Sequence, residues 1–539
     1  MTTTQYLARQ LLAHKVLHVF GVPGDYSLKI LDTFIKEGLQ IINTCDEQGA
    51  GFAADAYARL NGLSAVCITY CVGGLKVTNP IAEAYAEKSP VLVISGAPGI
   101  SERKKDPLLH HKVKDFNTQL KVFEALTVFA AILENPRDIG EQILKAIWLA
   151  LQYKRPAYLE IPRDMASAEI AIPDEISLSG DFHSDPKALE EALTEAKQMI
   201  ETATQPLILA DVEIQRFGLQ KELEQLTETT GIPVSATLLG KSVIAETHPH
   251  YIGVYEGATG SEEVCVFFEK SDCLILLGVF MTDITLGSTR SVLDMGKCIY
   301  ATSEKLMIRH HTFEDVRFED FVRGLLSLNI RKTLPQNLPH PSIRSIDQID
   351  ENQRVSVNSF FTIVNAFLSS QTVVIADVGE SLFGSIDLVI HESTEFISPA
   401  YYASVGFSIP AAIGAALAKP HLIPFVICGD GAFQMTGIEL STTCRYKLHP
   451  IILLLNNSGY STERIFLDGP FNDLMNWNYS KITELLGCGR SCVVKTNREL
   501  KEAIERAIVN RDSFWLIEVV IDAADRSMAL RRMAQRIMP

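Results

Sequence analysis

Pro424-Phe-Val-Ile-Cys-Gly429-Asp430-Gly431-Ala432-Phe-Gln-Met-Thr436 decides how this chain is read. Its apolar run reads as a buried strand through Cys428, followed by a Gly-Asp-Gly turn and a helix expected to begin near Thr436. After 24 intervening residues comes Asn456-Asn457-Ser458-Gly459-Tyr460, directly behind a second apolar run, Ile451 to Leu455. Both motifs are therefore expected at carboxyl ends of strands, where open α/β sheets bind ligands. The residue types suit a hard divalent cation and a diphosphate. Asp430 offers a carboxylate oxygen, Asn457 an amide oxygen and Gly459 a backbone carbonyl, and Mg2+ wants about six oxygens, some of them from phosphate. Gly429 and Gly431 allow close backbone approach, and the helix start can face phosphates with its N–H groups. A lone Gly-Asp-Gly is most often just a turn; two strand-end motifs at this spacing ask for more.

Outward from this segment, short apolar runs alternate with longer amphipathic stretches. Leu63 to Tyr70, Val91 to Ser95, Ala157 to Ile161, Pro206 to Ala210, Cys273 to Gly278, Thr372 to Ala376, Pro450 to Leu455 and Phe514 to Ile521 read as further strands. Their Val- and Ile-rich, non-alternating composition suits parallel strands buried on both faces. Lys187 to Glu201 and Leu219 to Thr230 read as helices between them. The expected fold is α/β, with three doubly wound parallel-sheet domains. Pro- and Gly-bearing polar stretches at Ala171 to Lys187 and Arg331 to Asn352 are expected to divide it into 1–180, 181–340 and 341–539.

The 539 residues are 47% apolar and 21% charged, which excludes global disorder. A net charge of −16 disfavours nucleic acid or an anionic membrane as partner. No apolar stretch reaches the roughly 20 residues of a spanning helix, and Met1 to Lys15 lacks the apolar core of a signal peptide. Ten cysteines without a C-x-x-C pair are expected to be reduced, buried thiols of a cytoplasmic protein.

Gly-Asp-Gly followed at this distance by Asn-Asn resembles the signature of thiamine-diphosphate enzymes. Asn43-Thr-Cys-Asp-Glu47-Gln-Gly-Ala-Gly-Phe-Ala-Ala-Asp-Ala-Tyr-Ala-Arg59 is similar to the segment that carries their cofactor-activating glutamate, which falls on Glu47, just before a helix expected near Ala50. Thiamine chemistry needs such a group: carbon 2 of the thiazolium must lose a proton to become a nucleophile, and a carboxyl on the aminopyrimidine promotes this. Phe20-Gly-Val-Pro-Gly-Asp25-Tyr26, Leu108-Leu-His110-His111 and Tyr460-Ser-Thr462-Glu463 resemble motifs of 2-oxo acid decarboxylases, the pyruvate, indolepyruvate and phenylpyruvate enzymes. The resemblance covers essentially the whole chain. It implies Asp25, His110, His111 and Glu463 as acid/base groups beside Glu47. It implies Asp430, Gly431, Ala432, Asn457, Gly459, Tyr460 and Val405 at the cofactor, with Mg2+ on Asp430, Asn457 and Gly459. It further implies a homodimer or homotetramer with active sites at the dimer interface. The second pair, His310-His311, has no counterpart in the family and shows how weak His-His is alone.

Departures bear on the substrate. Tyr401-Tyr-Ala-Ser-Val-Gly406 stands where pyruvate and indolepyruvate enzymes carry a Trp-Gly-x-Ile-Gly pattern, and it looks more like the phenylpyruvate branch. Val405 takes the place of the residue that props the cofactor in its V shape. Thr462 replaces an Ile of the pyruvate pocket and Phe466 a smaller apolar residue, so Thr462, Phe466 and Tyr402 are expected to shape room for an aromatic or branched 2-oxo acid. The alternatives are a pyruvate decarboxylase and a carboligase of the acetolactate synthase type; His110-His111 and Glu463 disfavour the latter.

Overall fold

The computed structural model describes residues 1–173, 183–286, 293–341, 345–391 and 395–537. Parts of both expected connections, 174–182 and 342–344, lie outside the described residues. Pro186, read as part of the first connection, is instead the first residue of a helix, Pro186–Thr202, capped by Asp185. Proline suits that position because its missing N–H is not needed there.

The first sheet contains β1 (His18–Gly21), β2 (Gln40–Asn43), β3 (Ser64–Ile68), β4 (Val91–Ala97), β5 (Phe129–Ile132) and β6 (Ala157–Pro162), in the order β2-β1-β3-β4-β6-β5. The middle sheet has β7 (Pro206–Ala210), β8 (Val234–Ala236), β9 (Tyr251–Val254), β10 (Cys273–Leu277), β11 (Cys298–Ala301), β12 (Leu306–Ile308) and β13 (His311–Phe313), ordered β13-β12-β11-β10-β7-β8-β9. The third has β14 (Thr372–Ala376), β15 (Phe396–Ile397), β16 (Ile423–Gly429), β17 (Ile451–Asn456), β18 (Arg490–Val494) and β19 (Trp515–Val520), ordered β15-β14-β16-β17-β19-β18. Pairing is parallel throughout the first and third sheets, which share one strand order. The middle sheet departs from the all-parallel expectation: β11, β12 and β13 pair antiparallel. Only Thr302 to Lys305 join β11 to β12, too few residues for a parallel crossover.

Alternate residues of the central strands enter different cores. Val374, Phe425 and Leu453 face one cluster; Val373, Val426 and Ile452 face the other. Both faces of the sheet are thus buried, which is why these strands read as unbroken apolar runs. Helices α1 (Glu47–Asn61) and α2 (Val72–Lys76) belong to the first unit, and α3 (Ser408–Ala418) to the third. α1 and α3 pack against each other at Gly414, where a Cβ would come within 2.0 Å of the Ala53 carbonyl oxygen. A side chain there would force the two units apart.

Cys444 and Cys488 form a disulfide, their Cα atoms 6.3 Å apart, where reduced thiols were expected. Both lie against the same apolar cluster although 44 residues separate them, so their proximity is a tertiary fact. The other eight cysteines are thiols. Among the described residues, no helix is long and apolar enough to cross a membrane.

Candidate active site

In each of the two like sheets, site residues lie beyond the carboxyl ends of strands; in the first, Asp25, Glu47 and His110 follow β1, β2 and β4, with β3 between β1 and β4. In the third sheet the strands are β14, β16 and β17, followed by Asp377, Asp430 and Asn457. Helix α4 (Asp430–Thr436) starts at Asp430 and ends at Thr436, reversing the expectation that a helix begins there. Gly429 is extended and Asp430 sits in the first turn, where a carboxylate is favoured by the helix dipole. Asp430 is buried. Its Oδ1 accepts the Gly431 N–H (2.8 Å) and its Oδ2 the Gly459 N–H (3.2 Å), which ties the two motifs together. Burial raises its pKa to about 6, while N–H groups of Gly431 and residues 457–459 pull the other way. Asn457 is buried beside it. The Tyr460 ring lies over Gly431, where a Cβ would approach within 2.5 Å; at Gly459 one would reach the Asn472 carbonyl at 2.3 Å.

Two partners escaped the sequence reading here. Asp377, fully buried, accepts the N–H groups of Gly406 (3.0 Å) and Ser408 (2.8 Å) and so fixes the turn behind Val405. Glu87, from the first unit, accepts the N–H groups of Tyr401 and Tyr402 at 2.8 Å each and is itself held by Arg59 at 2.9 Å. Tyr402 also donates to Asn79 (3.3 Å). Its contacts thus run to the first unit rather than to Thr462 or Phe466, with which it was grouped.

Glu47 is the first residue of α1, three positions earlier than the expected start near Ala50, because Asp46 caps the helix through the Gln48 N–H (2.7 Å). Buried Glu439 accepts the N–H groups of Cys45 and Asp46, each at 3.1 Å, across 394 and 393 residues. The Glu47 carboxylate rests on α2: a Cβ on Gly73 would lie 3.1 Å from its Oε1. The turn into α2 is strained. Cys71 has φ +52°, and its N–H is gripped by the Gln119 amide oxygen at 2.6 Å.

Asp25, His110 and His111 do come together. His110 Nε2 lies 2.8 Å from Asp25 Oδ2 and His111 Nε2 4.0 Å from Oδ1. Tyr26 stacks on the His110 ring with centroids 4.8 Å apart. His311 of the other pair lies against Glu195 (3.1 Å) and the Phe313 ring. Glu463 is exposed at the start of a short helix, α5 (Glu463–Phe466). Thr462 Oγ1 lies 3.4 Å from where a Cβ on Gly379 would stand. Phe466 is 57% exposed in the single chain, which excludes a core position. Among the described residues, no hydrogen bond or ion pair joins the Asp25 group to Glu463.

Residues 1–121 match the family described as thiamine pyrophosphate enzyme, N-terminal TPP binding domain; 193–325 match its central domain and 377–519 its C-terminal TPP binding domain. The chain belongs to the thiamine pyrophosphate enzymes. Similar proteins include an indole-3-pyruvate decarboxylase of Azospirillum brasilense, 32% identical over 99% of this chain and 98% of its own length. Pyruvate decarboxylase 4 of Arabidopsis thaliana is 31% identical over 99% and 91%. A probable pyruvate decarboxylase of Schizosaccharomyces pombe is 32% identical over 98% and 95%. This thiamine pyrophosphate enzyme is a 2-oxo acid decarboxylase. Its cofactors, thiamine diphosphate and Mg2+, fit the residues present. A buried carboxylate, a buried amide and a glycine carbonyl are hard oxygen donors, and nothing stands within 4 Å of where a Cβ on Gly429 would be.

Proposed function

We propose that this decarboxylase converts an aromatic 2-oxo acid, phenylpyruvate or indolepyruvate, to an aldehyde and CO2, with branched aliphatic acids next and pyruvate last. The observation that carries this reading is the pair Thr462 and Phe466. A short residue faces Gly379, and an aromatic ring stands free of the core one helical turn later.

In the proposed mechanism, Asp430, Asn457 and the Gly459 carbonyl hold Mg2+, and the backbone at Gly431 and Ala432 meets the diphosphate, with Tyr460 packed behind it. Val405 props the cofactor from a turn that Asp377 and Glu87 hold in place. Glu47 holds a proton against the pyrimidine ring. When bound, thiamine diphosphate supplies a nucleophilic carbon and an electron sink for the departing carboxylate. Asp25, His110, His111 and Glu463 orient the substrate carboxylate and move the proton that replaces it. Asp25 and His110 are paired at 2.8 Å, so each orients the other.

The exposure of these groups in the single chain supports a homodimer, or a homotetramer built of dimers, with active sites at the interface. Apolar side chains around them are bare: Leu108 is 96% exposed and Met475 81%. Units 1–180, 181–340 and 341–539 and a cytoplasmic location complete the reading; each sheet falls within one of those ranges.

A panel of 2-oxo acids read by aldehyde release tests the substrate assignment. Aromatic contact with Phe466 is worth about 0.5–1.5 kcal/mol beyond area burial, and each methylene of fit about 1–3 kcal/mol in discrimination. We expect kcat/KM for phenylpyruvate or indolepyruvate to exceed that for pyruvate at least tenfold, about 1.4 kcal/mol. Thr462→Ile should shift preference toward small acids. Pyruvate as best substrate, with selectivity unmoved in Thr462→Ile, contradicts the assignment and favours a pyruvate decarboxylase.

A further inference from the structure

His110 and His111 stand on a stretch without helix or strand, between β4, which ends at Ala97, and the helix Thr118–Glu124. Three of its residues have left-handed backbone without being glycine: Lys105 (φ +67°), Asp106 (φ +52°) and His111 itself (φ +67°). Such conformations persist where surrounding contacts hold them. Two cations do so here. Arg103 anchors the first half of the stretch to the sheet, donating to the Pro98 carbonyl (2.9 Å) and to buried Glu160 of β6 (2.8 Å). Lys112 closes the second half on the first. Its ammonium donates to the Asp106 carboxylate (2.6 Å) and to the carbonyls of Asp106 and Pro107 (3.2 Å each). It also stands 4.6 Å from the centre of the Phe116 ring, and only 5% of the Lys112 side chain is exposed. Phe116 belongs to the small apolar cluster of Tyr26, Tyr70 and Ala97, whose Tyr26 ring stacks on His110.

We propose that Lys112 is a positioning residue for His110 and His111: its ammonium ties residue 112 back to residues 106 and 107 and so fixes the backbone from which both imidazoles are presented. An ammonium has three N–H donors and no acceptor, and three oxygens receive them here. Hydrogen bonds from a charged donor are roughly twice as strong as neutral ones. Without the charge, two carbonyls and a carboxylate would converge on an apolar stem. All three bonds stay within the loop, so Lys112 acts on the histidines through the chain. Tyr26 holds one face of the His110 ring, but it does not close the loop around His111. A displacement of about 1 Å in a group that meets the substrate can cost on the order of a hundredfold in rate. The inference rests on the reading of His110 and His111 as groups that face the substrate.

Lys112→Met keeps the apolar stem and removes the ammonium. In the holoenzyme, hydrogen exchange across residues 105–112 should quicken about tenfold or more with the loss of bonds to a charged group. The Leu109 and Lys112 amides, bonded to carbonyls inside the loop at 3.1 and 3.2 Å, should report it. In the same variant, kcat/KM for phenylpyruvate, and for pyruvate as a second probe, should fall about ten- to a hundredfold. Exchange of the bound cofactor's C2 proton, measured without substrate, should stay at the wild-type rate, because Asp46 and Glu439 hold the turn into Glu47 from outside this loop. Asp106→Ala removes one of the three acceptors from a side chain that is 72% exposed, and it should move loop exchange and kcat/KM the same way by less. Wild-type kcat/KM in Lys112→Met overturns the proposal, whether or not the loop loosens. C2 exchange that falls in step with kcat/KM also overturns it, since the damage would then be general. Should Lys112→Met not fold, wild-type kcat/KM in Asp106→Ala overturns the proposal instead. His110→Gln and His111→Gln are the separate controls: if both keep wild-type kcat/KM, the reading of the pair itself fails, whatever Lys112 does.

Discussion

Glu47→Gln should reduce turnover by roughly 10²–10⁴-fold, the usual contribution of a positioned acid/base group, while leaving the fold and most of the cofactor affinity in place. The substitution is nearly isosteric, and Glu47 is not needed to cap its helix: Asp46 does that through the Gln48 N–H. Glu439 holds the preceding turn through backbone N–H groups alone, so a neutral residue 47 disturbs none of these bonds. What the amide cannot do is hold a transferable proton against the pyrimidine. The loss should therefore appear in the exchange rate of the cofactor's C2 proton, measured by deuterium labelling and acid quench, and by a similar factor in kcat. Wild-type exchange in the variant would make Glu47 a structural residue only.

Asp430→Asn should cost more in binding than in folding. The carboxyl is buried and its pKa is raised to about 6. A carboxyl whose folded pKa lies above its unfolded value costs stability as pH rises through that interval, so at neutral pH a neutral isostere relieves the apoprotein of an expensive charge. One oxygen remains to accept an N–H bond from Gly431 or Gly459. The variant apoprotein is thus expected to melt no lower than wild type. With the anionic donor gone, affinity for thiamine diphosphate and Mg2+ should fall at least ten- to a hundredfold, the range seen when only outer partners of a metal are lost. Chelation and dialysis of the wild-type protein should reproduce that loss. Equal cofactor affinity in the variant and wild type would remove Asp430 from the metal site.

The half of the site on the third sheet was legible because its strands are buried on both faces. β16 and β17 read as unbroken apolar runs, so Gly-Asp-Gly and Asn-Asn could be placed at strand ends from composition alone. The other half was not legible in this way. β1 and β2 are four residues each, and β2 is partly solvent-facing, so neither gives an apolar run; Asp25 and Glu47 were found through motif resemblance only. The helix start at Glu47 was misplaced because Asp46 caps it ahead of the apolar period, and the one at Asp430 follows directly on its strand with no side-chain cap to mark it. Glu439, Glu87 and Asp377 carry no local signal. Glu439 and Glu87 find partners hundreds of residues away, where the third unit packs against the first, and Asp377 finds its own in the turn behind Val405. Phe466 illustrates the converse. An aromatic residue in a short helix reads equally as core or as pocket wall, and its exposure excludes the core.

We propose that Glu47 and Asp430 serve one site, each supplied by a different copy of the chain. Mixing the two inactive variants, Glu47→Gln and Asp430→Asn, tests it most directly. In a 1:1 mixture after full subunit exchange, about half the dimers are mixed, and each mixed dimer holds one intact site and one doubly altered site. Decarboxylation of a 2-oxo acid, with cofactor at a level that fills wild-type sites but leaves Asp430→Asn sites empty, should recover to about a quarter of the wild-type rate. If the mixture stays as inactive as its components after exchange has been verified by mass labelling, every site still carries one of the substitutions, and the two residues do not meet across chains.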